Sequence, residues 1–429
     1  MPPFPSLLDE LAWRGMLHQQ TDGLAGALAA GVVRGYCGFD PTAPSLHVGS
    51  LVPVMALVHL QRAGHVPVAL VGGGTGMIGD PSGKTVERQL HTADVVEANT
   101  RALAAQLGRF LDFDGPRAAR MANNADWLGS LGALQFLRDV GKHFTVNYML
   151  QKESVKTRLG SDGGISFTEF SYMLLQAYDY QELCRRDGVT LQIGGSDQWG
   201  NITAGTTLVR KSLGLDAHGL TVPLVTTASG TKFGKSEAGA VWLDAAMTSP
   251  YQFFQFWMNA DDRDLPSYLR LFTLLPRDEI EALERTAAAN PGGRDAQRAL
   301  AREVTTRVHG DAAARVAEEV SALLFGGADP RSLTAAALEA LRLEVPSATV
   351  PRAGVAAGDG IGVSALLVAA GLAASKGAAR RLVEQGGVSV NGRRLAADEP
   401  QIGDSELLVG GRVLLRKGAR DYALVTLSA

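Results

Sequence analysis

Cysteine is almost missing. Cys37 and Cys184 are the only two in 429 residues. That count excludes a disulfide framework and a zinc cluster, and it points to a reducing compartment, the cytoplasm. Long apolar runs are missing as well. The longest, such as Leu51 to Leu60, falls well short of the ~20 residues a membrane-spanning helix needs, so no membrane partner is expected. The opening Met-Pro-Pro-Phe-Pro has neither the basic flank nor the apolar segment of an export signal. Nor is there an excess of one charge. The net is −3, so nothing global advertises a nucleic acid. What remains is an ordinary globular composition, 46% hydrophobic and 20% charged, in a chain long enough for two or three domains with cores of their own.

The charge is unevenly spread. Residues 361–429 hold nine Lys or Arg and six Asp or Glu. A small basic module therefore follows an acidic body, which hints at a polyanionic partner.

Taken in order, residues 5–30 read as helical and amphipathic. Val32 to Asp40 reads as a strand running into a Pro-containing turn. A helix follows from about Gly49 to Ala63, with Pro53 tolerated near its first turn and Gly64 as its stop. Pro67 to Val71 is a short apolar run suited to a buried parallel strand. This strand–helix–strand unit opens a doubly wound α/β sheet. The next segment, Gly72 to Thr85, contains a G-x-G-x-x-G match at Gly74–Gly79 and a Gly83-Lys84-Thr85 ending like that of a phosphate loop. A dinucleotide-binding oxidoreductase would rest on the first match alone. That fingerprint needs a helix opening inside it, and Pro81 and Gly83 oppose one.

Helices are expected over about Thr92–Phe110 and Leu128–Val140, with a polar loop, Asp112 to Asn124, between them. Leu128, Leu131, Leu134 and Leu137 fall on one face of the second and read as core. Ser166-Phe167-Thr168-Glu169 is a capping box. It starts a helix on which Tyr172, Gln176 and Asp179 share a face by their spacing. Val189 to Ile193 reads as a strand ending in Gly194-Gly195-Ser196-Asp197-Gln198, which suits a ligand at the mouth of an open sheet. Val222 to Thr226 closes the sheet and leads to Lys232-Phe233-Gly234-Lys235-Ser236. Residues 250–324 read as helical, with buried aromatics at their start. Residues 326–360 read as a poorly structured linker around one short helix. In the tail, helices near 363–370 and 375–384 precede strands near 388–390, 406–409 and 422–427, and Asn391-Gly392 signals a hairpin.

Two distant stretches, His47-Val48-Gly49-Ser50 and Lys232 to Ser236, resemble the paired nucleotide-binding signatures of class I aminoacyl-tRNA synthetases. Tyr36 to Thr42, Gly79 to Lys84, Phe170-Ser171-Tyr172, Gln176 to Asp179 and Gly194 to Asn201 resemble the corresponding segments of bacterial tyrosyl-tRNA synthetases. Ser375 to Arg381 followed by Val388 to Gly392 resembles an S4-type RNA-binding module. One departure stands out: the first signature usually ends in His, and here it ends in Ser50.

The resemblance implies a Rossmann-like catalytic domain over 1–225, with a dimerising insertion at about 110–165, an α-helical anticodon-side domain over 226–325, the 326–360 linker, and a small α+β S4-like domain over 361–429. It implies activation of L-tyrosine with ATP, accompanied by Mg²⁺ without a dedicated protein site, and transfer of the tyrosyl group to tRNA(Tyr) by a homodimer. Thr42, His47, Ser50, Lys84, Arg88, Lys232, Lys235 and Ser236 would hold the phosphates. Tyr36 and Asp179 would meet the phenol hydroxyl, Asp80, Tyr172 and Gln176 the ammonium, and Gln198 the carboxylate. Cys37, Gly38, Asp40, Gly49, Gly195, Asp197 and Lys235 would line the adenylate. Lys376, Arg380, Arg381, Arg416, Lys417 and Arg420 would meet tRNA phosphates. The substrate brings its own nucleophile, which agrees with the lack of a Ser-His-Asp or Cys-His set. The rival readings are a tryptophanyl enzyme, which has no need of the Tyr36–Asp179 pair, and a non-catalytic RNA-binding scaffold, which would have eroded nucleotide residues.

Overall fold

The computed structural model describes residues 6–83, 90–160, 164–230, 233–236, 239–358 and 360–428, with Lys235 and Ser236 described by backbone only. The chain divides into two compact units, residues 1–249 with 256–308, and residues 250–255 with 309–429.

The first unit opens with α1 (Leu7–Trp13), β1 (Gln19–Gln20) and α2 (Leu24–Ala30). The helical stretch expected over 5–30 is two helices. Gly15 and Gly23 both adopt positive φ, 71° and 82°, and break the helical path between them. The expected strand–helix–strand unit is present as β2 (Arg34–Phe39), α3 (Leu51–Arg62) and β3 (Val66–Val71). Every residue of β3 is buried, as its unbroken apolar sequence requires of a parallel strand covered on both faces. Among the described residues of the glycine-rich segment that follows, one 3-10 turn, Thr75–Met77, is formed. α4 (Ala93–Leu107) leads to β4 (Arg120–Asn123), a strand where a polar loop was expected. It pairs with β3 from Val68↔Arg120 to Val71↔Asn123. As an edge strand half open to water it carries no apolar run to announce it.

α5 (Ala125–Leu128) and α6 (Ala133–Asp139) replace the single helix expected over 128–140. Leu134 and Leu137, read as core, are 84% and 57% exposed. The break between the two helices leaves α6 too short to bury its apolar face. α7 (Val146–Leu150), α8 (Glu153–Leu159) and α9 (Phe167–Asp187) follow. Half of the capping box is seen, the Ser166 hydroxyl accepting from the Glu169 N–H at 3.2 Å. The Glu169 carboxylate turns to a buried ion pair with Arg158 at 2.7 Å. Then come β5 (Leu191–Gly195), α10 (Trp199–Leu213) and β6 (His218–Val222). The last strand lies earlier than the expected 222–226, because Pro223 lacks the N–H to continue a ladder.

The sheet order is β1-β6-β5-β2-β3-β4, parallel apart from β1. The chain leaves β2 toward β3 and returns on its other side as β5. That makes the carboxyl ends of β2 and β5 the switch point where open α/β sheets bind ligands. A hairpin of β7 (Lys235–Ser236) and β8 (Gly239–Ala240) follows, then α11 (Pro250–Met258), α12 (Leu265–Phe272), α13 (Arg277–Ala289) and α14 (Asp295–His309).

The second unit takes residues 250–255 at the start of α11 and resumes at residue 309, with α15 (Asp311–Gly326), α16 (Ala335–Glu344), β9 (Ser347–Pro351), β10 (Ala356–Ala357) and β11 (Gly360–Gly362). It continues through α17 (Val363–Ala369), α18 (Lys376–Glu384), β12 (Val388–Val390), β13 (Arg393–Arg394), β14 (Gln401–Ile402), β15 (Arg412–Lys417) and β16 (Asp421–Ser428). The stretch 326–360 is not a bare linker. β9 pairs in parallel with β16 over Leu424↔Ser347 to Ser428↔Pro351 and closes the sheet β13-β12-β15-β16-β9. Residues 406–409 form no strand. A 3-10 turn occupies Asp404–Glu406, and the strand is β15. The hairpin at Asn391-Gly392 is as expected, with φ of 48° and 82°, the pair of positive values a type I′ turn needs.

Candidate active site

A cavity of about 480 Å³ opens at the switch point. Tyr36, Cys37, Gly38 and Asp40 line it from β2 and the turn beyond, and Gly195, Asp197 and Gln198 from the end of β5. Tyr172, Gln176 and Asp179 reach it from α9, Asp80 from the glycine-rich segment, and Thr42, His47, Gly49 and Ser50 from the approach to α3. The helical spacing read for α9 thus delivers its polar stripe inward.

At one end, Tyr36 is 1% exposed and packs edge-on against Tyr180, centroids 5.3 Å apart. Among the described residues its hydroxyl has no hydrogen-bond partner. Burial and the nearby Asp179 push that hydroxyl's pKa well up, so it stays protonated. Asp179 is 2% exposed. The Trp127 indole N–H donates to its Oδ1 at 2.7 Å and the Asn124 amide to its Oδ2 at 2.9 Å. Burial pushes its carboxyl up to about 7, while those two hydrogen bonds pull the other way. A buried hydroxyl without a partner costs about 1–3 kcal/mol, and a ligand with a hydroxyl of its own would remove that cost.

Further out, carboxylates gather hydrogen bonds in two groups, one on Asp40 and one on Asp80. The Tyr172 hydroxyl donates to Asp40 Oδ2 at 2.8 Å and the Thr75 hydroxyl to Asp40 Oδ1 at 2.7 Å. The Gln198 amide donates to Asp80 Oδ2 at 2.7 Å, and Gln176 donates to Gln198 Oε1 at 3.3 Å. Burial raises the Tyr172 hydroxyl's pKa well above its usual value, with Asp40 and Asp80 adding to the effect, so it remains a donor. Several carboxylate oxygens gathered over a half-buried crevice are suited to a cation such as an ammonium. Cys37 is buried, and burial pushes its thiol up to about 12, so it is a neutral group.

At the mouth, the Gly49 N–H donates to His47 Nδ1 at 3.0 Å. That bond makes Nδ1 the acceptor, so the proton of the neutral ring sits on Nε2. Ser50 lies at the start of α3, where its hydroxyl makes no capping bond to the helix. The second signature is tied down on both sides. Phe233 stacks on Phe272 at 5.2 Å and meets Tyr268 at 5.1 Å. The Ala228 N–H donates to Asp264 Oδ1 at 2.8 Å. Lys84, Arg88 and Lys232 lie outside the described residues, as do the side chains of Lys235 and Ser236.

The glycine-rich segment is settled by its own hydrogen bonds. The Gly73 N–H donates to Asn123 Oδ1 at 3.2 Å and the Gly74 N–H to Asn124 Oδ1 at 2.7 Å. Those donors are spent on asparagines rather than held out to a pyrophosphate. The glycines serve close packing, since a Cβ at Gly72 would fall 2.1 Å from Asp40 Oδ1. Asn124, Trp127 and Thr75 escaped the sequence reading. Asn124 sits at the carboxyl end of a parallel strand, a place that marks a ligand contact once β4 is known to exist. On the second unit, Lys376, Arg380 and Arg381 are exposed on α18, and Arg420 is exposed beyond β15. Arg416 lies over the Tyr422 ring and Lys417 donates to Leu372 O at 3.3 Å.

A parallel sheet with its crevice at the switch point, a His-x-Gly-Ser turn at the rim and a second signature anchored beside it place the molecule among class I tRNA synthetases. The family model of the tryptophan and tyrosine members of that class matches residues 29–326. A second, for the SYY-like C-terminal domain of tyrosine–tRNA ligases, matches residues 339–425, starting ahead of β9. The tyrosine–tRNA ligase of Anaeromyxobacter dehalogenans is 56% identical over 98% of this chain and 99% of its own. That of Roseiflexus castenholzii is 53% identical over 98% and 99%. The truncated mitochondrial tyrosyl-tRNA synthetase of Aspergillus nidulans superposes with a TM-score of 0.69 at 31% identity, covering 75% of this chain and 94% of that one. The chain belongs to the tyrosine–tRNA ligase family.

Proposed function

We propose that the protein binds L-tyrosine with its phenol between Tyr36 and Asp179, activates it with ATP, and passes the tyrosyl group to tRNA(Tyr) in the cytoplasm. The observation that carries the reading is the unpartnered Tyr36 hydroxyl beside Asp179. In this reading the Tyr36 hydroxyl donates to the phenol oxygen and the phenol donates to the Asp179 carboxylate. The ammonium sits among Asp80, Tyr172 and Gln176, with Asp40 close through its bond to Tyr172. Gln198 lies by the substrate carboxylate, and Gly38, Gly195 and Asp197 line the adenosine side with Cys37.

A carboxylate oxygen of tyrosine attacks the α-phosphorus and pyrophosphate leaves, giving tyrosyl adenylate. A hydroxyl of the terminal ribose then attacks the tyrosyl carbonyl and AMP leaves. No protein atom becomes a nucleophile. Catalysis is positioning and charge stabilisation of the phosphoryl group in flight. His47 supplies an Nε2–H donor, Thr42 and Ser50 supply hydroxyls, and Lys84, Arg88, Lys232, Lys235 and Ser236 are expected to add donors to the phosphates. Magnesium would neutralise phosphate charge when bound. The ion is expected to come with the triphosphate rather than with a protein site of its own.

The test is ATP–pyrophosphate exchange across a panel of amino acids. Exchange is expected with tyrosine and not with tryptophan or phenylalanine. Dependence on tryptophan, or no exchange at all, would overturn the assignment.

Leu134, Leu137 and Val146 of the insertion and Phe167 at the start of α9 are exposed, apolar surface of the kind an interface covers. A second copy is expected to cover it. Sedimentation should show a dimer for the natural protein and a monomer for Leu134→Asp with Leu137→Asp; a dimer in both would remove this face from the interface. The exposed cations of α18 are expected to meet tRNA phosphates. Replacing Lys376, Arg380 and Arg381 with Gln should leave exchange unchanged. It should flatten the salt dependence of tRNA binding by about 0.7–0.9 log unit for each phosphate no longer neutralised. An unchanged slope would free these residues from that role.

A further inference from the structure

Neither signature contains Trp242, yet the structure presses it against the histidine of the first. The two segments run antiparallel there, with His47 and Trp242 as bridge partners. The Val48 N–H donates to Val241 O at 3.0 Å and the Leu243 N–H to Leu46 O at 2.9 Å. The indole and imidazole rings meet edge to face, centroids 6.2 Å apart and planes at 72°. The segment carrying the indole is itself fixed. The Trp242 N–H donates to buried Thr248 Oγ1 at 3.0 Å, and the Asp244 N–H to buried Ser45 Oγ at 3.1 Å. Elsewhere the imidazole lies close on Gly49, where an added Cβ would fall 2.7 Å from His47 Cε1. The Gly49 bond to Nδ1 and the edge-to-face meeting with Trp242 both hold the ring.

We infer that Trp242 is a positioning residue for His47, holding the imidazole so that its Nε2–H stays aimed at the departing pyrophosphate. This rests on the reading of His47 as a phosphate donor. A donor aimed at a transition state loses rate steeply with misplacement, about 10²-fold for 1 Å. The edge contact also explains why an aromatic stands six places beyond Ser236, where the turn itself requires none.

The test is a double-mutant cycle on tyrosine-dependent ATP–pyrophosphate exchange, with thermal melting run on each variant. Trp242→Leu is expected to lower kcat about tenfold with the KM for tyrosine unchanged. In a His47→Ala background the same substitution should cost less than about twofold. Trp242→Phe, which keeps an aromatic edge and guards against a Leu variant that fails to fold, should lose about two- to threefold in kcat, again only when His47 is present. Equal losses in both backgrounds, a raised KM for tyrosine, or no loss from either variant would overturn the inference. If His47→Ala alone leaves kcat intact, the phosphate-donor reading fails instead, and the two failures are told apart.

Discussion

Asp179→Ala is expected to lower kcat/KM for tyrosine by about 10³ or more while leaving the value for phenylalanine nearly unchanged. The size follows from what the carboxylate holds. It accepts from Trp127 and Asn124, and in the proposed complex from the substrate phenol as well. A hydrogen bond from the phenol to a charged group is worth about 1.5–3 kcal/mol, and the buried phenol donor left unpaired adds about 1–3 kcal/mol, whereas the Trp127 and Asn124 donors are stranded with either substrate and lower stability instead. Phenylalanine has no hydroxyl to lose a partner. Sites built to bond a hydroxyl reject the analogue lacking it by about 10⁴–10⁵, tyrosyl-tRNA synthetases being the standing case, and most of that margin should vanish in the variant. The same residue sets a pH dependence. Burial places the Asp179 carboxyl at about 7 in the free protein. The ionised form is the better acceptor, so kcat/KM for tyrosine should rise with pH up to about 7 and then level off. In Asp179→Asn that rise should be gone. A profile that kept it would assign the titration to another group.

His47→Ala is expected to lower kcat for exchange by about 10²–10³, the usual cost of removing one preorganised donor from a developing anion. The KM for tyrosine should stay where it is, because Tyr36 and Asp179 are untouched and the donor matters only once charge moves onto the leaving pyrophosphate. Steady-state exchange at saturating tyrosine measures it. A rise in KM with kcat preserved would make His47 a ground-state contact.

Most of the crevice was legible in the sequence because its residues come in short ordered segments with geometry of their own. The spacing of Tyr172, Gln176 and Asp179 fixes a helix face, and Gly194-Gly195 after a run of apolar residues fixes a strand end. The parts that escaped depend on contacts between distant segments. β4 is an edge strand of mixed polarity, so Asn124 at its end went unseen, and with it the hydrogen bond that steadies Asp179. Trp242 reads locally as one aromatic in a loop. Its pairing with His47 exists only after some 190 residues of sheet and helix have been wound between them. The same reason hid β9, whose partner β16 is the last strand of the chain. A deletion beginning at residue 361 would strip β9 of that partner, so the C-terminal module is better cut ahead of α16.

The decisive measurement is a crystal structure of the protein with tyrosine bound. The account requires the phenol oxygen to lie within hydrogen-bonding distance of both the Tyr36 hydroxyl and an Asp179 carboxylate oxygen, with the ammonium near Asp80 and Tyr172. A tyrosine whose oxygen points elsewhere, leaving the Tyr36 hydroxyl still without a partner, would contradict it.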